Sequence, residues 1–270
     1  MLIADEFTFV HLPKTGGTFV TRLLKETLVP SAVLRGLHEV RRKYGLAIPG
    51  VRYRYRELDK HLFVRRMPAD ARDRPLVTSV RNPLDLYVSQ FKFGWWRENP
   101  DKWFAAPAAA IADHGPVDDW TFETFVRGTL DHSHWATKYP VSPDAPGRFA
   151  AEWAHFFCPR PAEVFSSGDV GEQLAALTAQ MPPVRYLHQE TLNDDLADFL
   201  VDLGVDADRV AEVRSHAPIL PGARRRPHGE GWPKHYTPEL ESLVRDREKL
   251  LFALLPEYAD EAQELTAEGR

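Results

Sequence analysis

Cys158 is the only cysteine in this chain. No intrachain disulfide can form and no cysteine-based metal cluster can be built, which suits a reducing, cytoplasmic setting. Long apolar runs are missing as well. No stretch of ~18 consecutive apolar residues occurs, so no membrane-crossing helix is expected. The first strand is expected at residues 6–11, too early for a cleavable leader to precede it. Positive charge is scarce overall. The 34 Lys and Arg face 39 Asp and Glu, for a formal net charge of −5, which argues against non-specific nucleic-acid binding. The charge is uneven, with a basic stretch at 224–235 and an acidic one at 257–268. Repeats and low-complexity segments are absent. At 270 residues one α/β domain, 1–270, is the economical count, large enough to bury its own core.

What is present begins with His11-Leu12-Pro13-Lys14-Thr15-Gly16-Gly17-Thr18. An apolar run, Phe7 to Val10, precedes it and an amphipathic stretch from Phe19 to Lys25 follows. This reads as strand, tight loop, helix. Two adjacent glycines let the backbone curl so that several N–H groups face one hollow, and the helix adds its own unbonded N–H groups and positive dipole end. Such a hollow suits a doubly charged oxyanion. Lys14 adds a mobile cation, and Thr15 and Thr18 add hydroxyls. The order differs from the nucleotide-triphosphate loop G-x-x-x-x-G-K-[ST], where lysine follows the last glycine.

A second element is Leu76 to Val80, a β-branched and apolar run that reads as a buried strand, followed directly by Arg81-Asn82-Pro83. Asn82 suits an N-cap and Pro83 the first helical position. Ser89 then falls about two turns into the helix.

Pro13 to Thr18 resembles the PKTGGT loop of the sulfotransferases that use PAPS (3'-phosphoadenosine-5'-phosphosulfate). Arg81-Asn82-Pro83 followed by Ser89 resembles that family's second motif. The resemblance implies that Lys14, Thr15, Gly16, Gly17 and Thr18 bind the 5' end of the cofactor and that Arg81 and Ser89 hold its 3'-phosphate. A third segment, Arg224 to Thr237, looks like the family's R-K-G-x-x-G-D-W-K-N-x-F-T loop. It departs from that pattern with a proline in place of the first glycine and Glu230-Gly231 in place of Gly-Asp. Only Arg225 and Arg226 are carried over from it, as 3'-phosphate partners. Val184 to Leu192 is similar to the strand and E-x-L segment of bacterial members.

The expected architecture is α/β, with a central parallel sheet flanked by helices and a P-loop-like strand-loop-helix at a C-terminal strand edge. Strands are expected at 6–11, 75–80, 162–166 and 184–188. Helices are expected at 16–28, 83–97, 119–130, 170–181, 192–203, 206–215 and 237–254, with a loop over 140–147. Thr237-Pro238-Glu239 supplies start chemistry for the last helix. Six of the seven tryptophans fall between Trp95 and Trp153. Residues 92–157 therefore read as an aromatic-rich helical insertion whose rings form core, with some lining an apolar acceptor pocket as the alternative.

The chemistry implied is sulfuryl transfer from PAPS to a hydroxyl of a small, lipophilic or aromatic acceptor (alcohol, phenol or glycoside), releasing PAP. The scheme calls for no metal. Lys14 would neutralise the departing phosphate. A histidine would take the acceptor's proton. His61, twenty residues before Arg81, is the first candidate because family members often carry a histidine about there. His38 is the second, His132 and His134 remain open, and Asp59 and Glu57 are carboxylate alternatives. His11 is expected to shape the loop. Two rival functions are weighed: an ATP-dependent small-molecule kinase, and a non-catalytic nucleotide-binding protein.

Overall fold

In a computed structural model of the chain, the described residues are 1–29, 55–139, 145–217 and 231–259. The chain divides into two compact units: Met1–Arg81 with Pro182–Ala223, and Asn82–Met181 with Arg224–Arg270.

The first unit is α/β. Its strands are β1 (Leu2–Ala4), β2 (Thr8–Val10), β3 (Tyr55–Glu57), β4 (Leu76–Val80) and β5 (Val184–His188), in the order β3-β1-β2-β4-β5. The expected wholly parallel sheet is corrected to a mixed one. β2, β4 and β5 run parallel, while β1 is antiparallel to both β2 and β3. The cause is local. Asp5 and Glu6 turn the chain back at once, with the Ala4 N–H on the Phe7 carbonyl at 2.9 Å, so two three-residue strands occupy the place of one longer strand.

β4 is buried at all five positions, as a strand flanked on both edges and covered on both faces should be. The Gly17–Leu28 helix buries Phe19, Val20, Leu23, Leu24 and Leu28 along one stripe. The Leu192–Asp202 helix buries Leu196, Phe199 and Leu200. These faces join Phe7, Phe9, Val77 and Leu187 in one core.

The second unit is helical among its described residues. The expected strand at 162–166 is not one: Pro161–Val164 forms a helical turn, because Pro161 sits at its first position with φ pre-set for helix and Ala162 and Glu163 favour helix over strand. The 83–97 helix ends at Phe93, where Gly94 adopts a left-handed conformation at φ 72 and a separate turn, Trp95–Glu98, follows. The 237–254 helix is broken at Glu248 into Pro238–Arg247 and Lys249–Leu254. Helices Pro107–His114 and Arg148–Phe157 lie outside the expected set. The expected caps do form: Asn82 accepts from the Leu84 N–H at 2.9 Å and Thr237 from the Leu240 N–H at 3.2 Å.

Most of the aromatic cluster is core. Trp96, Trp103, Trp120 and Phe125 are buried, with Trp96 stacked on Trp120 at 5.5 Å and tilted on Phe125 at 4.7 Å. Cys158 is buried, and desolvation pushes its thiol up to about 12, so it stays protonated. No helix among the described residues is long and apolar enough to cross a membrane.

Candidate functional site

The loop after β2 is where the sequence and the backbone geometry coincide. Lys14 has φ 65 and is the one non-glycine described residue with positive φ. A side chain there is strained, and such strain persists only where the surroundings impose it. Two of those surroundings are visible. Pro13 precedes Lys14, and the Arg81 guanidinium donates to the Lys14 carbonyl at 3.2 Å. Gly16 follows at φ 91, caps the Gly17–Leu28 helix, and has no room for a Cβ, which would meet Leu192 at 2.6 Å. Gly17 is crowded on its other side. A Cβ there would lie 2.6 Å from the His11 ring.

His11 is thus packed into the loop. Burial, then the charge of Lys60, pushes its pKa down to about 2, so the ring stays neutral. Thr15 is buried and turned inward. Its hydroxyl donates to the Leu12 carbonyl at 3.1 Å and meets the Ser79 hydroxyl at 2.8 Å. That hydroxyl ties the loop to β4. Thr18 is exposed, at the second position of the helix, and its hydroxyl accepts from the Lys60 ammonium at 2.9 Å.

Three cations therefore surround the loop. Burial, Arg81 and Lys60, in that order, lower the Lys14 pKa to about 8. A lysine in the field of two other cations, next to first-turn N–H groups with no helical acceptor, can hold an oxyanion and is stabilised when it does.

His61 stands beside this cluster. Its Nδ1 lies 3.0 Å from the His11 carbonyl, and its ring meets the His11 ring edge-on at 5.1 Å. A carbonyl only accepts, so Nδ1 carries the proton and Nε2 the lone pair. Partial desolvation and the charge of Lys60 lower its pKa, against the hydrogen bond to His11, which raises it.

The other expected residues fall as follows. Ser89 is half-buried in the Pro83–Phe93 helix of the second unit. Glu57 pairs with Lys25 at 2.5 Å, and Asp59 is exposed. His132 pairs with Asp113 at 2.9 Å, and His134 binds the Asp101 carbonyl at 3.0 Å. His38, Arg225 and Arg226 lie outside the described residues.

Three residues of this neighbourhood escaped sequence reasoning: Lys60, Ser79 and His188. Lys60 is adjacent to His61 in the chain, and that adjacency was the available signal. The inward turn of Ser79 follows from side-chain alternation along β4 and becomes visible only when the loop is placed.

No family model, curated protein or solved structure matches this chain.

Proposed function

We propose that this chain is a PAPS-dependent sulfotransferase acting on a hydroxyl of a small lipophilic or aromatic molecule. The observation that carries the reading is Lys14, held at positive φ between Pro13 and Thr15 just ahead of two glycines, beside Arg81 and Lys60. The anionic cofactor fits such a setting. Its 5'-phosphosulfate would lie on Lys14 and the amides of Gly17 and Thr18, and its 3'-phosphate would lie on Arg81, with Ser89, Arg225 and Arg226 as further partners by resemblance. PAPS supplies an activated sulfuryl group. The acceptor oxygen forms a bond to sulfur as the bond from sulfur to the phosphate oxygen breaks, and the electron pair leaves with PAP.

Lys14 then neutralises the charge arriving on that phosphate. His61 takes the acceptor proton at Nε2. Its support is the neutral ring and the tautomer fixed by the His11 carbonyl. The order of residues in the loop and the arginine after β4 speak against a magnesium-dependent kinase, which needs lysine after glycine and a carboxylate for its metal.

Calorimetry with PAP, and separately with ATP plus magnesium, tests the reading. Binding of PAP in preference to ATP is the expected result, and absence of heat with PAP overturns it. Turnover of PAPS with a panel of phenols and alcohols separates an enzyme from a binding protein. Lys14→Ala should lower turnover by ~10²–10³ without loss of fold, and undiminished turnover in that variant removes Lys14 from the mechanism.

A further inference from the structure

β4 runs on past its pairing with β2, and its side chains hold the neighbouring chain where the ladder ends. The last Cα pair of the two strands is Val10 with Thr78. After it the chain leaves the sheet for the Lys14 loop. Thr78 donates to the Val10 carbonyl at 2.8 Å. Ser79 meets the Thr15 hydroxyl at 2.8 Å, and Arg81 donates to the Lys14 carbonyl at 3.2 Å. Ser79 and Arg81 stand two positions apart, the spacing that returns a side chain to the same side of a strand.

The two hydroxyls have a direction. Thr15 donates its one proton to the Leu12 carbonyl at 3.1 Å. Towards Ser79 it therefore accepts, and the Ser79 hydroxyl is the donor. The relay runs from Ser79 through Thr15 to Leu12, and all three residues are buried. Breaking it would leave polar atoms unpaired out of reach of water, so it holds its geometry.

Through its side chain Thr15 closes a four-residue turn, Leu12-Pro13-Lys14-Thr15. Proline stands second and a positive φ third, the pattern of a type II turn. That third place ordinarily goes to Gly or Asn, and here it holds Lys14 at φ 65. A residue with a Cβ prefers negative φ. Left to itself the turn would relax, and the Lys14 side chain would leave the backbone in another direction. The ties that oppose this are on both sides of Lys14: the relay fixes Thr15 against Leu12 and β4, and Arg81 fixes the carbonyl between.

We infer that Ser79 is a positioning residue for the proposed transfer: through Thr15 it holds the Leu12–Thr15 turn, and with it the left-handed Lys14, in the form that sets the ammonium on the 5' end of the nucleotide. The inference rests on the reading of the loop as a PAPS loop, and it changes the part played by Thr15. By resemblance Thr15 would sit on the cofactor. By its hydrogen bonds it sits between Ser79 and Leu12 and acts on the ligand through Lys14.

The test is calorimetric titration of the full chain with PAP, for the wild type, Ser79→Ala, Thr15→Val, Thr15→Ser, Lys14→Gly and the combination of Ser79→Ala with Lys14→Gly. Ser79→Ala should weaken PAP by about three- to tenfold. Thr15→Val takes the hydroxyl out of the middle of the relay with little change of shape and should weaken PAP by about ten- to thirtyfold. Thr15→Ser keeps the hydroxyl and should stay within about threefold of wild type. Glycine at position 14 has neither the ammonium nor the strain of a positive φ, so the relay has nothing to position. In that background the Ser79→Ala step should change PAP affinity by less than about twofold. A residue that merely supports the fold would weaken PAP by the same factor in both backgrounds. Should Thr15→Val fail to fold, the Ser79→Ala cycle decides alone. Equal factors in the two backgrounds, wild-type affinity in Ser79→Ala, or a Thr15→Ser protein as weak as Thr15→Val would each overturn the inference and leave the sulfotransferase reading standing. Failure of the wild type to bind PAP overturns both.

Discussion

Gly17 and His11 share one volume. A methyl group at Gly17 would lie 2.6 Å from the Cδ2 atom of a ring that is itself buried. Real Cβ contacts are never that short, so Gly17→Ala must push His11 aside or open the loop, at a cost of ~1–3 kcal/mol. His11→Ala leaves a void and costs a similar amount, ~1–3 kcal/mol. The double variant should be more stable than the sum of the two losses predicts, by ~1 kcal/mol, because each change relieves the other. Chemical denaturation of the four proteins measures this, and strictly additive losses would show that the ring and the glycine are independent. The sequence did reveal that His11 belongs to the loop and that the glycines matter. It did not reveal why, since the reason at Gly17 is a ring six positions away and the reason at Gly16 combines φ 91 with Leu192, a contact far along the chain.

At the scale of elements, the parts that declared themselves were the ones with end signals. Asn82-Pro83 and Thr237-Pro238 started their helices as cap chemistry requires, and the unbroken apolar run of β4 marked a strand inside the sheet. β1 and β3, at three residues each, are too short to display a period of two. The break at Glu248 was hidden because its cause is tertiary. Glu248 is fully buried and accepts from the Tyr87 hydroxyl at 2.7 Å, from the Phe149 N–H at 3.0 Å and from the Ala150 N–H at 2.8 Å. It therefore caps the Arg148–Phe157 helix, whose own Ncap residue, Gly147, offers no side chain. A Cβ on Gly147 would strike the Glu248 carboxylate, which accounts for the glycine. Burial raises the Glu248 pKa, and its three hydrogen bonds oppose that. Glu248→Ala would strand three buried donors and should cost on the order of 3–5 kcal/mol, against ~1 kcal/mol for Tyr87→Phe, which removes one donor and leaves the two N–H bonds intact. Thermal and urea unfolding give both values, and a Glu248→Ala protein within ~1 kcal/mol of wild type would show that the carboxylate does not hold the helix end.

The molecule as a whole carries a net charge of −5, yet Lys14, Lys60 and Arg81 stand around one loop. All three belong to the Met1–Arg81 segment of the first unit, and the fold brings positions 14, 60 and 81 together. A ligand that binds them should then stabilise the folded chain. At a hundredfold excess over its Kd, PAP should add ~2.7 kcal/mol, a rise in Tm of several degrees for a protein of this size. The gain should depend on pH through Lys14. Its pKa is about 8 in the folded chain, against 10.5 when unperturbed. Below about 8 the lysine is charged and ready for a phosphate. Above that value binding must first take up a proton, so affinity falls by up to about tenfold per pH unit until the raised pKa of the complex is reached. The unliganded protein shifts the other way. A depressed lysine pKa means that the folded state binds fewer protons than the unfolded one between about 8 and 10.5, so this group's destabilising contribution fades as pH rises. The Tm gain must therefore be taken against unliganded protein at each pH. It should be level from about pH 6 to 7.5 and shrink above 8, and Lys14→Met should show little gain at any pH. A gain that stays level to about pH 9.5, or that survives in Lys14→Met, would mean that the nucleotide is held without the lysine.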